Sequence, residues 1–195
     1  NRTVTETVVA NPDFSLLETA VGRAQLATYL GSTNNITVFA PTNDAFTAAG
    51  LTESAIGTTP VATLDAVLKY HVLAQRIPSS SVPAGPNAEV TTVNGAKAYV
   101  TRNNNGVFIN GIKVAQADVN ATNGVIHVIG SVLMPPSGNI VETAVANSNL
   151  TYLVAAVQRA GASGTDIAAA LSAAGPLTVF APTNQAYIDA GFPTI

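Results

Sequence analysis

The chain has 195 residues, 47% of them hydrophobic and only 10% charged, with a net charge of −3, two histidines and no cysteine. That is enough apolar material for a packed core, which argues against disorder, while the missing cysteine excludes disulfide and thiolate chemistry. The eight basic residues are scattered, against the clustering that nucleic acid needs, so the exterior reads as uncharged and polar, suited to protein, matrix or sugar contacts.

In chain order, residues 11–30 read as helix. Asn11 can cap it, Pro12 takes the first helical position, and Phe14, Leu17 and Val21 recur at helical spacing. Residues 36–40 form a short β-like run stopped at Pro41. Thr42 then caps a brief helix over 43–49, with Asp44 facing its positive end and Gly50 closing it. Thr59 and Pro60 open a further helix, with Val61, Leu64, Val67, Leu68 and His71 on one face. After Gly85 the texture turns to β, with strands expected near 88–94, 96–102, 107–110, 112–116 and 125–133. Asn94-Gly95 and Asn110-Gly111 supply the dipeptide that a type I′ hairpin turn favours. Helices first and a meander later in one unit predict an α+β fold.

Two segments repeat. Glu6–Ala24 recurs, with changes, as Glu142–Ala160, and Thr37-Val-Phe-Ala-Pro-Thr-Asn-Asp-Ala-Phe46 recurs as Thr178-Val-Phe-Ala-Pro-Thr-Asn-Gln-Ala-Tyr187. The offset is 136 for the first pair and 141 for the second, so a five-residue insertion is expected near 161–175. Pro135-Pro136-Ser137-Gly138 marks the seam, which divides the chain into a complete domain, 1–137, and the N-terminal part of a second, 138–195. A strand is expected at 177–181, but nothing resembling the later meander follows it. A strand edge and apolar helix face without partners are sticky. The natural protein is therefore expected to continue past Ile195, and 139–195 to dock or self-associate.

The chain resembles the fasciclin-like (fasciclin I-type, beta-Ig-H3/fasciclin) domain family. Thr37–Phe46 is similar to that family's first signature block, Gly124–Pro135 to its second, and Tyr70-His71-Val72 to the Tyr-His element between them. The resemblance implies a β-strand wedge with a surrounding helical layer, in an exported protein of the cell surface, envelope or matrix. It implies adhesion through protein or glycan ligands, without catalysis or cofactor. Gly130 departs from the pattern, standing where an acidic residue is common.

For each histidine, a metal or general-base role stands against that of a buried, hydrogen-bonded ring. No cysteine or carboxylate cluster accompanies either, so both are expected in the core, leaving a Ser- or Thr-based triad without its base. Tyr70 and His71 are carried by resemblance as a candidate adhesion surface, and packing is the alternative. Thr37, Phe39, Pro41, Thr42, Asn43, Phe46 and His127 are expected to hold the scaffold. Asn1, Asn35, Asn120 and Asn149 head glycosylation sequons, relevant only in a eukaryotic secretory pathway. No run of apolar residues is long enough to span a membrane. The expected function is an extracellular binding module. A carbohydrate-active hydrolase on the same scaffold, or a small-ligand carrier using a gap between strands and helices, are the alternatives.

Overall fold

The computed structural model describes residues 2–162, 164, 166–173 and 177–192. They fall into two compact units, Asn1–Pro135 and Pro136–Ile195. Asn1, Ile195 and part of the insertion expected near 161–175 lie outside the described residues.

The first unit opens with a helix the sequence reading did not anticipate, α1 (Val4–Val9). A reciprocal capping box makes it: Thr3 Oγ1 accepts from Glu6 N, and Glu6 Oε2 accepts from Thr3 N at 2.7 Å. A 3₁₀ turn, Pro12–Phe14, leads into α2 (Ser15–Arg23), and α3 follows (Ala27–Ser32). The single helix expected over 11–30 is thus broken. Gln25 takes a left-handed φ of 58°, which stops α2 and re-aims the chain so that Leu17, Val21 and Leu30 all bury. β1 (Ile36–Pro41) is buried along its whole length. Thr42 caps α4 (Asn43–Ala48) and Thr52 caps α5 (Glu53–Thr58), a second unanticipated helix. Then come α6 (Val61–Tyr70) and the short β2 (Val72–Leu73).

The meander comprises β3 (Ala88–Thr91), β4 (Lys97–Asn103), β5 (Gly106–Ile109), β6 (Ile112–Ala121) and β7 (Gly124–Ile129). Asn110 and Gly111 both take positive φ, as a type I′ turn requires, but at 94–95 only Gly95 does, so that turn is of another kind. β6 runs five residues past its expected end. Two register shifts, with Asp118 at φ 59°, bulge the strand and let it bend while still pairing with β7. The last strand ends at Ile129 rather than continuing to 133.

The sheet order is β2-β1-β7-β6-β5-β4-β3, with β1 and β7 parallel and the other pairs antiparallel. A bridge between Leu73 and Thr92, with Val93 N donating to Val72 O at 2.8 Å, joins its two ends and gives a barrel-like closure. Side-chain alternation on β1 and β7 then sorts the core. Ile36, Val38, Ala40, Ile126 and Val128 face the helices, while Phe39 and Ile129 face the interior of the folded sheet. A buried side chain of this size contributes about 1.5–3 kcal/mol, so the two clusters hold the helical layer and the meander to one central strand pair.

The second unit carries α7 (Ile140–Val145), α8 (Thr151–Gly161), α9 (Ile167–Ser172) and α10 (Asn184–Asp189). Asn139 and Glu142 form a capping box on α7, and Thr183 caps α10. The strand expected at 177–181 is not formed: residues 177–183 lie in no regular element. In the first unit the matching strand is held between β2 and β7, and no described residue of the second unit supplies such a neighbour.

Candidate functional site

His71 is the C-cap of α6 and is 2% exposed. Its Nδ1 lies 2.8 Å from Val67 O and its Nε2 accepts from Leu133 N at 2.9 Å. The carbonyl requires a proton on Nδ1 and the amide requires a bare Nε2, so the ring is neutral. Burial pushes its pKa down to about 4, although the Val67 hydrogen bond favours the proton. Tyr70 is 3% exposed; its hydroxyl donates to Lys97 O and accepts from Asn110 Nδ2. The two residues expected as a candidate adhesion surface, Tyr70 and His71, are thus both buried. Helix end, strand β4 and the segment after β7 close over both rings and engage all their polar atoms.

His127, on β7, is 1% exposed and takes the opposite tautomer. Its Nε2 donates to Ile77 O at 2.8 Å and its Nδ1 accepts from Asp118 N at 3.3 Å. The Phe39 ring lies against it, with centroids 5.5 Å apart. The β6 bulge brings Asp118 to Ser79, whose Oγ and N both donate to its carboxylate. Serine, acid and histidine thus meet, but in the wrong order for nucleophilic catalysis. The hydroxyl donates to the carboxylate instead of to the imidazole, and the imidazole faces backbone on both sides. Desolvation raises the Asp118 pKa, yet the Ser79 hydrogen bonds, with the Arg76 charge, outweigh it and hold the carboxyl below its usual value. No group of three His, Cys, Asp or Glu among the described residues could hold a metal.

The remaining signature side chains serve as fasteners. Thr37 Oγ1 donates to Gln75 O and accepts from Ile77 N, and Pro41 closes the β1–β7 register opposite Ile129. Asn43 receives Leu16 N at 3.0 Å and donates to Pro12 O at 2.9 Å, and Phe46 is buried beneath α4. Asn184 repeats the Asn43 fastener in the second unit, receiving Tyr152 N and donating to Ser148 O. A further fastener is Asn123. Buried in the β6–β7 turn, it accepts Val4 N and donates to Leu30 O and Thr33 O, each at 2.8 Å. A polar residue in a turn carries no mark of such distant partners.

In the first unit an exposed aromatic, Tyr99, lies elsewhere. Alternation along β3–β6 places Glu89, Lys97, Tyr99, Phe108 and Lys113 on the outer face of the meander. Tyr99 is 44% exposed and pairs in register with Glu89; Phe108 pairs with Lys113. Lys97 bridges to Glu89 at 3.1 Å.

The fasciclin domain pattern matches residues 12–135, well over half of the chain. The chain belongs to the fasciclin domain family. Protein sll1483 of Synechocystis sp. is 40% identical over 136 residues, covering 69% of this chain and 74% of that protein. The transforming growth factor-beta-induced protein ig-h3 of Sus scrofa is 37% identical over 69% of this chain, and human periostin 31% over 93%. The chain spans only 20% and 21% of those two proteins' own length. Among solved structures, a FAS1 domain pair from the insect cell adhesion molecule fasciclin I matches with a TM-score of 0.53 at 19% identity, covering 91% of this chain and 62% of that one. That likeness is one of fold, and it agrees with the α+β architecture described above. In this fasciclin domain Gly130 is exposed, and a Cβ there would meet nothing within 4 Å, so the glycine is not imposed by packing. Of the sequon asparagines, Asn35, Asn120 and Asn149 are exposed, and Asn120 accepts from Arg76; Asn1 is outside the described residues. No helix among the described residues is long and apolar enough to cross a membrane.

Proposed function

We propose that this fasciclin domain is an exported, non-catalytic adhesion or binding module, and that it meets its protein or glycan ligand through the outer face of the β3–β6 meander. The observation that carries this reading is Tyr99. It stands exposed on the sheet, with the half-buried Phe108 on the same face and lysines beside both. Tyrosine offers a large apolar face and a hydroxyl at little entropic cost, which suits contact with sugars and with protein. The groups that hydrolysis would require, Ser79, Asp118 and His127, are engaged with one another and with backbone in a sequence that leaves the hydroxyl unactivated. The test is a glycan array and a pull-down with the full chain. A ligand lost on Tyr99→Ser supports the reading, whereas unchanged binding by that variant, or turnover of any array member, overturns it.

A second reading concerns residues 138–195. We infer that they are organised as the opening part of another domain of the same kind, and that their apolar face associates with a second copy of the chain. The Asn184 fastener supports the first point. Phe180 supports the second: it is 92% exposed, while its repeat counterpart Phe39 is buried inside the sheet. Light scattering on the chain and on Phe180→Ser is the test. A monomer at every concentration sinks the association.

A further inference from the structure

A cavity of about 480 Å³ lies in the first unit between the helices α1, α2 and α3 and the strands β1 and β2. Its deep lining is apolar and buried: Leu17, Val21, Leu30, Val38 and Leu68. Packed interiors leave few voids larger than a water molecule, and small-molecule sites run from about 300 to 1,000 Å³. Walls of this kind hold water poorly and accept apolar guests. His71 also lines the cavity, but both of its nitrogens are engaged, so it presents ring surface and no polar handle.

Gly22, at the rim, provides an independent observation. It is the penultimate residue of α2, where glycine is a poorer helix former than alanine. The usual reasons for a helical glycine do not apply. Its φ is not positive, a Cβ there would meet nothing within 4 Å, and the left-handed residue that ends this helix is Gln25. Gly22 lines the cavity, and the space that a Cβ would occupy there is open. A cavity also recurs at the repeat-related place in the second unit, with about 530 Å³. There Ala144, Leu153 and Val157 stand where the first unit has Val8, Leu17 and Val21.

We propose that the first-unit cavity is a binding site for a small neutral or cationic amphiphile: an apolar ring or medium-length chain buried among the leucines and valines, with a hydroxyl or amine head at the rim. The head group follows from the rim. Thr5 Oγ1 donates its proton to Ala27 O and so faces a ligand as an acceptor, and Glu18 adds a carboxylate that attracts a donor and repels an acid. This site is separate from the meander face, and neither reading depends on the other.

The test is methyl NMR on the full chain titrated with decan-1-ol, decylamine and decanoate. The methyl signals of Leu17, Val21 and Leu30 are expected to move saturably with the alcohol and the amine, and about tenfold more weakly with decanoate. Gly22→Leu should abolish those shifts without lowering the thermal midpoint, because leucine is the better helix former. Leu30→Phe, which fills the same space from α3, is the second block. Absence of any saturable shift up to the solubility limit overturns the site. So do Leu17 and Val21 shifts that persist in either folded variant. Equal binding of decanoate overturns the head-group assignment.

Discussion

His71 Nε2 accepts the backbone N–H of Leu133 at 2.9 Å, joining the end of α6 to the segment after β7 across 62 residues. The bond exists only while the ring is neutral. Above pH 6.5 the folded and unfolded chains are both unprotonated at this position and it contributes no pH dependence. Between pH 6.5 and about 4 the unfolded chain takes up a proton that the buried ring refuses. Stability should therefore fall by about 1.4 kcal/mol per pH unit over that window, about 3 kcal/mol in all, and level off below it. Asp118 and Glu6, whose carboxyls are held low, add their losses only in the acid range below their unfolded values. Urea unfolding of the protein and of His71→Gln at several pH values isolates the imidazole. The variant should be less stable at pH 7, and the gap should narrow by about 3 kcal/mol at pH 4.

Gly124 lies in register with Ile36 on the parallel strand pair. A Cβ there would sit 2.9 Å from Ile36 Cγ1 and closer still to the carbonyl oxygen of the same residue. Because backbone cannot yield as a flexible side chain can, Gly124→Ala should cost about 2 kcal/mol. Gly130→Ala, six residues later and facing open space, should stay within about 0.5 kcal/mol of the parent. Denaturant midpoints of the two variants give the comparison.

Asn123 makes three hydrogen bonds, two buried and one part-buried, to backbone groups of α1, α3 and the residue that ends α3. Asn123→Ala leaves one amide and two carbonyls without partners and should cost about 3 kcal/mol or more. Hydrogen exchange of Val4 N–H should accelerate with it. Exchange that stays slow would show that another group supplies the acceptor.

Tyr70 and Tyr99 should separate stability from recognition. Tyr70→Phe removes the hydroxyl between Lys97 O and Asn110 and should lower stability by about 1 kcal/mol with ligand binding intact. Tyr99→Ser should change stability little and weaken binding at least about tenfold. Thermal denaturation alongside the array and pull-down assays decides between them, and the reverse pattern would return recognition to the Tyr70-His71 element.

Much of the architecture was legible in the sequence because it is set by local chemistry. The Thr42 cap, the Asn110-Gly111 turn and the burial of His71 and His127 follow from side-chain shape and apolar periodicity within a few residues. The single long helix over 11–30 was misread because periodicity continues across Ala24–Leu26, while the backbone there turns through the left-handed conformation of Gln25. The strand expected at 177–181 was misread for the converse reason: its residues have strand character, but a strand needs neighbours. Tertiary structure alone decided the rest. Asn123 and Asp118 are ordinary turn and strand residues until chain closure brings Leu30, Thr33 and Ser79 to them, and Tyr70 loses its surface once β4 folds over its hydroxyl. The sequence by itself specified which groups would seek burial or a hydrogen bond. Which distant partners met them, and therefore which aromatic ring was left outside, was settled by the closure of the sheet.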